Sequence, residues 1–192
     1  MSRPLVLASA SPRRRELLQQ IGLDFTVAVS QVVESAYDAT SPGKLVMELA
    51  QAKAEWIQSG PAGAVIIGAD TVVVVDEHIL GKPADEEDAV SMLRLLRGRE
   101  HQVYSGVAVV DTQSGLKIRE YEMTRVFMRE YADDEISHYV ATGEPFDKAG
   151  SYAIQGRGAL LIRGIEGCYT NVVGLPLARL GQMLKKVGIP LY

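Results

Sequence analysis

Cysteine occurs once in the 192 residues, at Cys168, which excludes an internal disulfide and any cysteine-cluster metal site and suits a reducing cytoplasm. The histidines, His78, His101 and His138, lack ligand spacing and read as structural or surface residues. Excess positive charge is missing too. A net charge of −4 gives a field that does not attract a polyanion, which argues against a general binder of polymeric nucleic acid. Long apolar runs are absent. The longest, residues 62–75, is interrupted by Asp70, so no membrane span is expected. The apolar run near the N-terminus is too short for an export signal, and its charges lie on the wrong side. There are no internal repeats. What is present is a hydrophobic content of 47%, enough to bury the core of one domain over residues 1–192, with room for two lobes around a cleft.

The stretch LVLASASPRRRELL, Leu5 to Leu18, breaks a local rule. Leu5 to Ala8 suits a buried strand, and Ser11-Pro12 supplies an N-cap serine and a proline at the first helical position. Arg13, Arg14 and Arg15 then crowd a first turn where the helix dipole disfavours each exposed cation by roughly 0.3–1 kcal/mol. A bound anion would reverse that cost, because backbone N–H groups and guanidinium forks would converge on it. Three solvated arginines on a surface helix are the plainer alternative.

The first helix is expected over Pro12 to Ile21, stopping at Gly22, with a strand near Phe25 to Val29. The polar stretch Ser30 to Ser41 reads as a loop carrying Asp38 and Glu34, the latter a candidate metal or base carboxylate. Ser41-Pro42 opens a second helix ending at Gly60. Leu45, Leu49, Ala52 and Trp56 form its apolar stripe, flanked by Val46, Ala50 and Ile57. Lys53 falls inside that arc, either snorkelling to solvent or reaching inward to a phosphate.

Ala64 to Asp76, AVIIGADTVVVVD, reads as a strand buried on both faces. Asp70 sits in its middle, where a carboxylate is costly unless paired, hydrogen-bonded or metal-bound. It can ligate Mg²⁺ or act as a general base toward water, with Gly68 permitting close backbone approach and Thr71 adding a hydroxyl. Lys82, between Gly81 and Pro83, is a further cation. The helix opening at Asp85 has acidic residues in its first turn and Arg94 and Arg97 near its end, the favourable dipole pattern. A hairpin follows over His101 to Arg129, then a helix from Asp133 to Thr142. The glycine-rich stretch Glu144 to Gly167 lacks helical periodicity and implies a backbone folded closely around something. Gln155 offers a donor and an acceptor there, as reading a base edge requires, although a plain glycine-rich turn region with the surface ion pair Asp147–Lys148 also fits. An amphipathic helix, Leu177 to Val187, closes the chain.

LASASPRR, Lys53-Ala54, GADTVV at Gly68 to Val73, GKP at Gly81 to Pro83, EPFDKAGSYAIQG at Glu144 to Gly156 and NVVGLP at Asn171 to Pro176 stand in one order. On these blocks the chain resembles the Maf family of nucleoside triphosphate pyrophosphatases, once described as septum-formation inhibitors. The resemblance implies a mixed α/β fold with a long central sheet flanked by helices and two lobes around a cleft, usually as a homodimer. It implies hydrolysis of a nucleoside triphosphate to monophosphate and pyrophosphate with a divalent cation, Mg²⁺ or Mn²⁺. Asp70 matches the family's catalytic base. Ser9, Arg13, Arg14, Lys53 and Lys82 match its phosphate site, and Glu34, with Asp70, a candidate metal ligand. Arg13, Thr71 and Gln155 match the branch acting on dTTP and UTP, with CTP and modified pyrimidine nucleotides as further candidate substrates. Arg15 departs from the pattern and is assigned no role.

Two other classes remain open on the sequence: a nucleotide-binding regulator of septum formation that needs no turnover, and a nucleotidyltransferase or purine pyrophosphatase.

Overall fold

The apolar start of the chain forms β1 (Leu5–Leu7), fully buried, and Ser11-Pro12 opens α1 (Pro12–Gln20), which Gly22 ends at a φ of 71°. This is seen in a computed structural model that describes residues 3–37, 39–57 and 62–191. Next come β2 (Thr26–Val27), α2 (Pro42–Trp56), β3 (Val65–Val75), β4 (His78–Leu80), α3 (Glu86–Leu96), β5 (Glu100–Asp111) and β6 (Lys117–Met128). The chain continues through α4 (Asp133–Val140), a series of 3-10 turns from Glu144 to Leu161, β7 (Ile162–Glu166), α5 (Tyr169–Val173) and α6 (Leu177–Lys186). The described strands form one sheet of seven, ordered β2-β1-β3-β5-β6-β7 with β4 also paired to β3. β1 runs parallel to β2 and β3, whereas β4 on β3 and β7 on β6 are antiparallel, so the sheet is mixed as expected. Among the described residues no helix is long and apolar enough to cross a membrane.

The chain divides into two compact units. The first comprises Met1–Asp70, Ser105–Glu122 and Gly174–Tyr192. Its core sets Val6, Ala8, Ile66, Ala108 and Val110 against Ala50, Ala54 and Ile57 of α2 and the residue after it. The alanines matter because they are small. A Cβ on Gly68 would lie 2.0 Å from the carbonyl oxygen of Ala50, and one on Gly106 2.1 Å from that of Val46. Only glycine at these two positions lets the main chain of α2 lie so close to the strands.

That approach corrects the expected stripe of α2. The buried face is Gly43, Val46, Leu49, Ala50 and Ala54, while Trp56 is 49% exposed and Leu45 and Ala52 are only partly covered. Contact with the strands selects the narrow face of the helix, not its most hydrophobic one. Lys53 stands beside this face. The expected helix end at Gly60, and Asp38, lie outside the described residues. The strand expected over Phe25 to Val29 shortens to Thr26–Val27.

The second unit comprises Thr71–Tyr104 and Met123–Val173. Leu93 and Leu96 of α3 and Ile136 and Val140 of α4 pack with Val73, Val103, Val126, Tyr131, Tyr139, Tyr152 and Leu161. Asp85 caps α3 by accepting from the N–H of Asp88 at 2.9 Å. Asp76 and Glu77, with φ of 46° and 67°, form a two-residue turn whose left-handed pair matches the twist of a tight hairpin, and β4 returns along β3. β4, β7 and α5 were not expected. β4 and α5 are short, and β7 lies in the glycine-rich stretch read as irregular.

Candidate active site

Ser11 is extended, with φ −65° and ψ 119°, and caps α1. Ser9, in the turn before it, accepts from the N–H of Ser11 at 3.2 Å and from Arg14 Nη1 at 3.3 Å. Arg14 lies back along the main chain: its Nε donates to Gly174 O at 2.9 Å and its Nη1 to Ala69 O at 2.9 Å. Gly174 presents that carbonyl at a φ of 119°, which explains a glycine in NVVGLP. Burial pushes the Arg14 guanidinium down from its ordinary value; Asp70 and Glu34 oppose this and Arg13 reinforces it. The three arginines therefore differ. Arg14 holds the carbonyl of the residue before Asp70, Arg13 is half-buried within range of Arg14, and Arg15 is exposed beside a groove lined by Gln19, Asp24 and Phe25.

Asp70 is 5% exposed on β3. Its Oδ1 accepts from Lys53 Nζ at 2.6 Å, and the same ammonium donates to Glu34 Oε1 at 2.7 Å. Lys53 thus reaches inward instead of snorkelling out, because Gly68 draws α2 onto β3 one turn away from it. Glu34 opens a 3-10 turn, Glu34–Ala36, and its side chain stays largely exposed. Two carboxylates from distant parts of the chain are held on one cation, and a half-open pair of this kind is chemically different from a buried structural ion pair. The first unit therefore brings together Ser9, Arg13, Arg14, Glu34, Lys53 and Asp70.

Among the described residues no three His, Cys, Asp or Glu side chains are grouped to hold a metal ion. The Glu34 and Asp70 pair still fits a hard divalent cation, since Mg²⁺ is commonly held by one or two carboxylates with substrate phosphates and water completing its shell. The residues do not fit an all-protein cage.

In the second unit, Thr71 is half-buried, one position beyond Asp70 on β3. Lys82 is exposed, and its loop is held by the Gly150 N–H donating to Gly81 O at 3.0 Å. Gly150, at φ 70°, faces the Val73 methyls, so a side chain there would be strained in its backbone and tightly packed. Gln155 is half-buried at the entry to the 3-10 turn Gly156–Leu161.

The sequence reading missed the polar groups that shape the Glu144 to Gly167 stretch. Glu144 accepts from Tyr139 Oη at 2.9 Å, Gly158 N at 3.0 Å and Arg157 N at 3.2 Å. Burial pushes the Glu144 carboxyl up, but these donors outweigh it and the net shift is downward. His101, read from the sequence as structural or surface, is structural: it is buried with Nε2 2.6 Å from Tyr152 Oη, and desolvation lowers its pKa to about 4, so the ring is neutral in the fold. Asn171, also fully buried, donates to Val103 O and Thr124 Oγ1. Glu144, Tyr152 and Asn171 stand inside motif blocks, which was the signal for them, whereas Tyr139 and His101 stand outside every block.

Residues 4–187 match the family model described as Maf-like protein. The chain is 54% identical over 184 residues to a dTTP/UTP pyrophosphatase of Pelotomaculum thermopropionicum, covering 96% of each chain. It is 50% identical over 188 residues to a dTTP/UTP pyrophosphatase of Moorella thermoacetica, covering 98% of this chain and 97% of that one. Among solved structures, a HAM1 protein from Coxiella burnetii superposes with a TM-score of 0.51 at 13% identity, covering 96% of this chain and 99% of that one, a likeness of fold. With the family model spanning nearly its whole length and relatives at half identity or above, this chain belongs to the Maf-like protein family.

Proposed function

We propose that the protein is a nucleoside triphosphate pyrophosphatase that hydrolyses dTTP and UTP to the monophosphate and pyrophosphate, a house-cleaning activity carried out in the cytoplasm by a homodimer. The observation that carries the chemistry is Lys53 Nζ set 2.6 Å from Asp70 and 2.7 Å from Glu34. The relatives' names support the substrate.

A triphosphate brings several negative charges, and in this reading Ser9, Arg13, Arg14, Lys53 and Lys82 receive them. Asp70 orients water and takes its proton as the water oxygen bonds to the α-phosphorus. The bond from that phosphorus to the bridging oxygen breaks, and pyrophosphate leaves with the electron pair. Lys53 fixes the direction of the Asp70 carboxylate, and Arg14 fixes the strand beside it through the Ala69 carbonyl. Mg²⁺ or Mn²⁺, held by Glu34 and Asp70, would supply charge neutralisation for the phosphates. Arg13, Thr71 and Gln155 select the base.

The test is product analysis with dTTP, UTP, CTP, GTP and ITP, with Mg²⁺ or Mn²⁺, on the wild type and Asp70→Asn. Monophosphate and pyrophosphate from dTTP and UTP are expected, with turnover about 10²–10⁴-fold lower in the variant. Near-normal turnover in a folded Asp70→Asn would remove the base role, and nucleotide bound by the wild type without product would favour a regulator.

A further inference from the structure

Gln155 stands between two grips on its own main chain. Before it, the Ala153 N–H donates to Tyr139 Oη at 3.3 Å. After it, the Arg157 and Gly158 N–H groups donate to Glu144 Oε2 at 3.2 Å and Oε1 at 3.0 Å. The grips are one assembly, because Tyr139 Oη donates to Glu144 Oε1 at 2.9 Å. One hydroxyl and one carboxylate therefore hold the backbone two residues before Gln155 and two and three residues after it. The glycines around it allow this closure. A Cβ on Gly156, at φ 66°, would lie 2.8 Å from Glu144 Oε2, and one on Gly158 would lie 2.6 Å from Tyr139 Oη and 2.5 Å from Ala153 O. The Tyr139 ring is 5% exposed, packed in the core of the second unit, and so anchors the assembly to something rigid.

We infer that Tyr139 and Glu144 are positioning residues for base selection, clamping the segment that carries Gln155 so that its amide meets the base edge in one orientation. This rests on the base-selecting role proposed for Gln155. An amide has a donor at one end and an acceptor at the other, so its selectivity depends on which end faces the base. Uracil and thymine present a carbonyl where cytosine presents an amino group, and a side chain free to turn accommodates both. A site must be held to within about 0.5 Å to discriminate, which a glycine-rich segment does not achieve unaided.

The experiment measures kcat and KM for dTTP, UTP and CTP in Tyr139→Phe, Glu144→Gln, Glu144→Ala and Gln155→Ala, with circular dichroism to confirm folding. Tyr139→Phe keeps the buried ring and removes the hydroxyl's bonds to Glu144 and to the Ala153 N–H. It is expected to lower the ratio of kcat/KM for dTTP over CTP by about tenfold, the change lying in KM, with kcat at saturating dTTP within about twofold of wild type. Glu144→Ala should do the same, and Glu144→Gln, which keeps an acceptor, should recover part of the ratio. A ratio lost in Gln155→Ala but kept in Tyr139→Phe and Glu144→Ala would overturn the clamp and leave the base-reading role standing. A ratio unchanged in Gln155→Ala would overturn the role of Gln155 and the clamp with it.

Discussion

α1 and α3 begin alike and then diverge. Each has a side-chain cap, Ser11 for α1 and Asp85 for α3. After the cap, α3 places Glu86, Glu87 and Asp88 against the positive end of its dipole and Arg94 near its negative end, while α1 has no acidic residue in its first turn and puts Arg13, Arg14 and Arg15 there. The charges of α3 contribute to the helix that carries them. Those of α1 act against theirs, and Arg14 shows what opposes the cost: two main-chain carbonyls and the Ser9 hydroxyl, one of the carbonyls belonging to the residue before Asp70. The sign of charge at a helix start thus separates a start built for stability from one built for a site.

Buried titratable groups divide in the same way. Lys53 and Asp70 in the first unit face each other as an ion pair, and His101 in the second is stored neutral against Tyr152.

The largest effect short of removing Asp70 is expected from Arg14→Met. Leaving buried carbonyls at Gly174 and Ala69 without their donor costs about 1–3 kcal/mol each, so urea unfolding should show a loss of about 3 kcal/mol together with reduced turnover. A loss below about 1 kcal/mol would mean that Arg14 does not hold the strand. The next effect is a pH dependence from His101. Its folded pKa lies below its unfolded value, so the unfolded chain takes up a proton first as pH falls from about 6.5 toward 4, and stability is lost over that window. Between pH 7.5 and pH 5 the loss should be about 2 kcal/mol, and His101→Gln should flatten this part of the stability profile. An unchanged slope would assign it to other groups.

How far the sequence could be read follows from these contrasts. The starts of α1 and α3, the long buried β3 and the turn before β6 are local, and cap chemistry, proline, glycine and β-branched runs sufficed for them. Asp70 announced itself as a carboxylate inside an apolar strand, and Lys53 as a cation inside an apolar arc. The resemblance set these two and Glu34 in one site, but the residues themselves gave no sign that Lys53 would pair directly with both carboxylates, because that contact depends on Gly68 and Gly106 drawing α2 inward. The same approach turned the alanine side of α2 to the strands and left Trp56 outside, against a reading weighted by hydrophobicity. Arg14 was read as a phosphate fork, and only the fold shows two of its nitrogens committed to carbonyls. Tyr139 escaped because a buried hydroxyl gripping a distant N–H leaves no periodic trace, and Glu144, although inside a motif block, gave no sign of the N–H groups it would hold.

Smaller effects sharpen the contrast between the two helix starts. Asp85→Ala removes the cap of α3 and should cost about 1 kcal/mol without altering the kinetics, since every other charge at that start remains favourable. Arg15→Glu is the finest test. Arg15 is exposed, it lies in the first turns of α1, and none of the hydrogen bonds linking Ser9, Arg14, Ala69 and Gly174 passes through it. Replacing its positive charge with a negative one should raise stability by about 0.3–1 kcal/mol at low salt, with the gain shrinking as salt screens the dipole. Turnover of dTTP should hardly change. If Arg15→Glu instead raises KM several-fold, the third arginine takes part in receiving the triphosphate, and the whole first turn of α1, not two of its three arginines, is given over to the site.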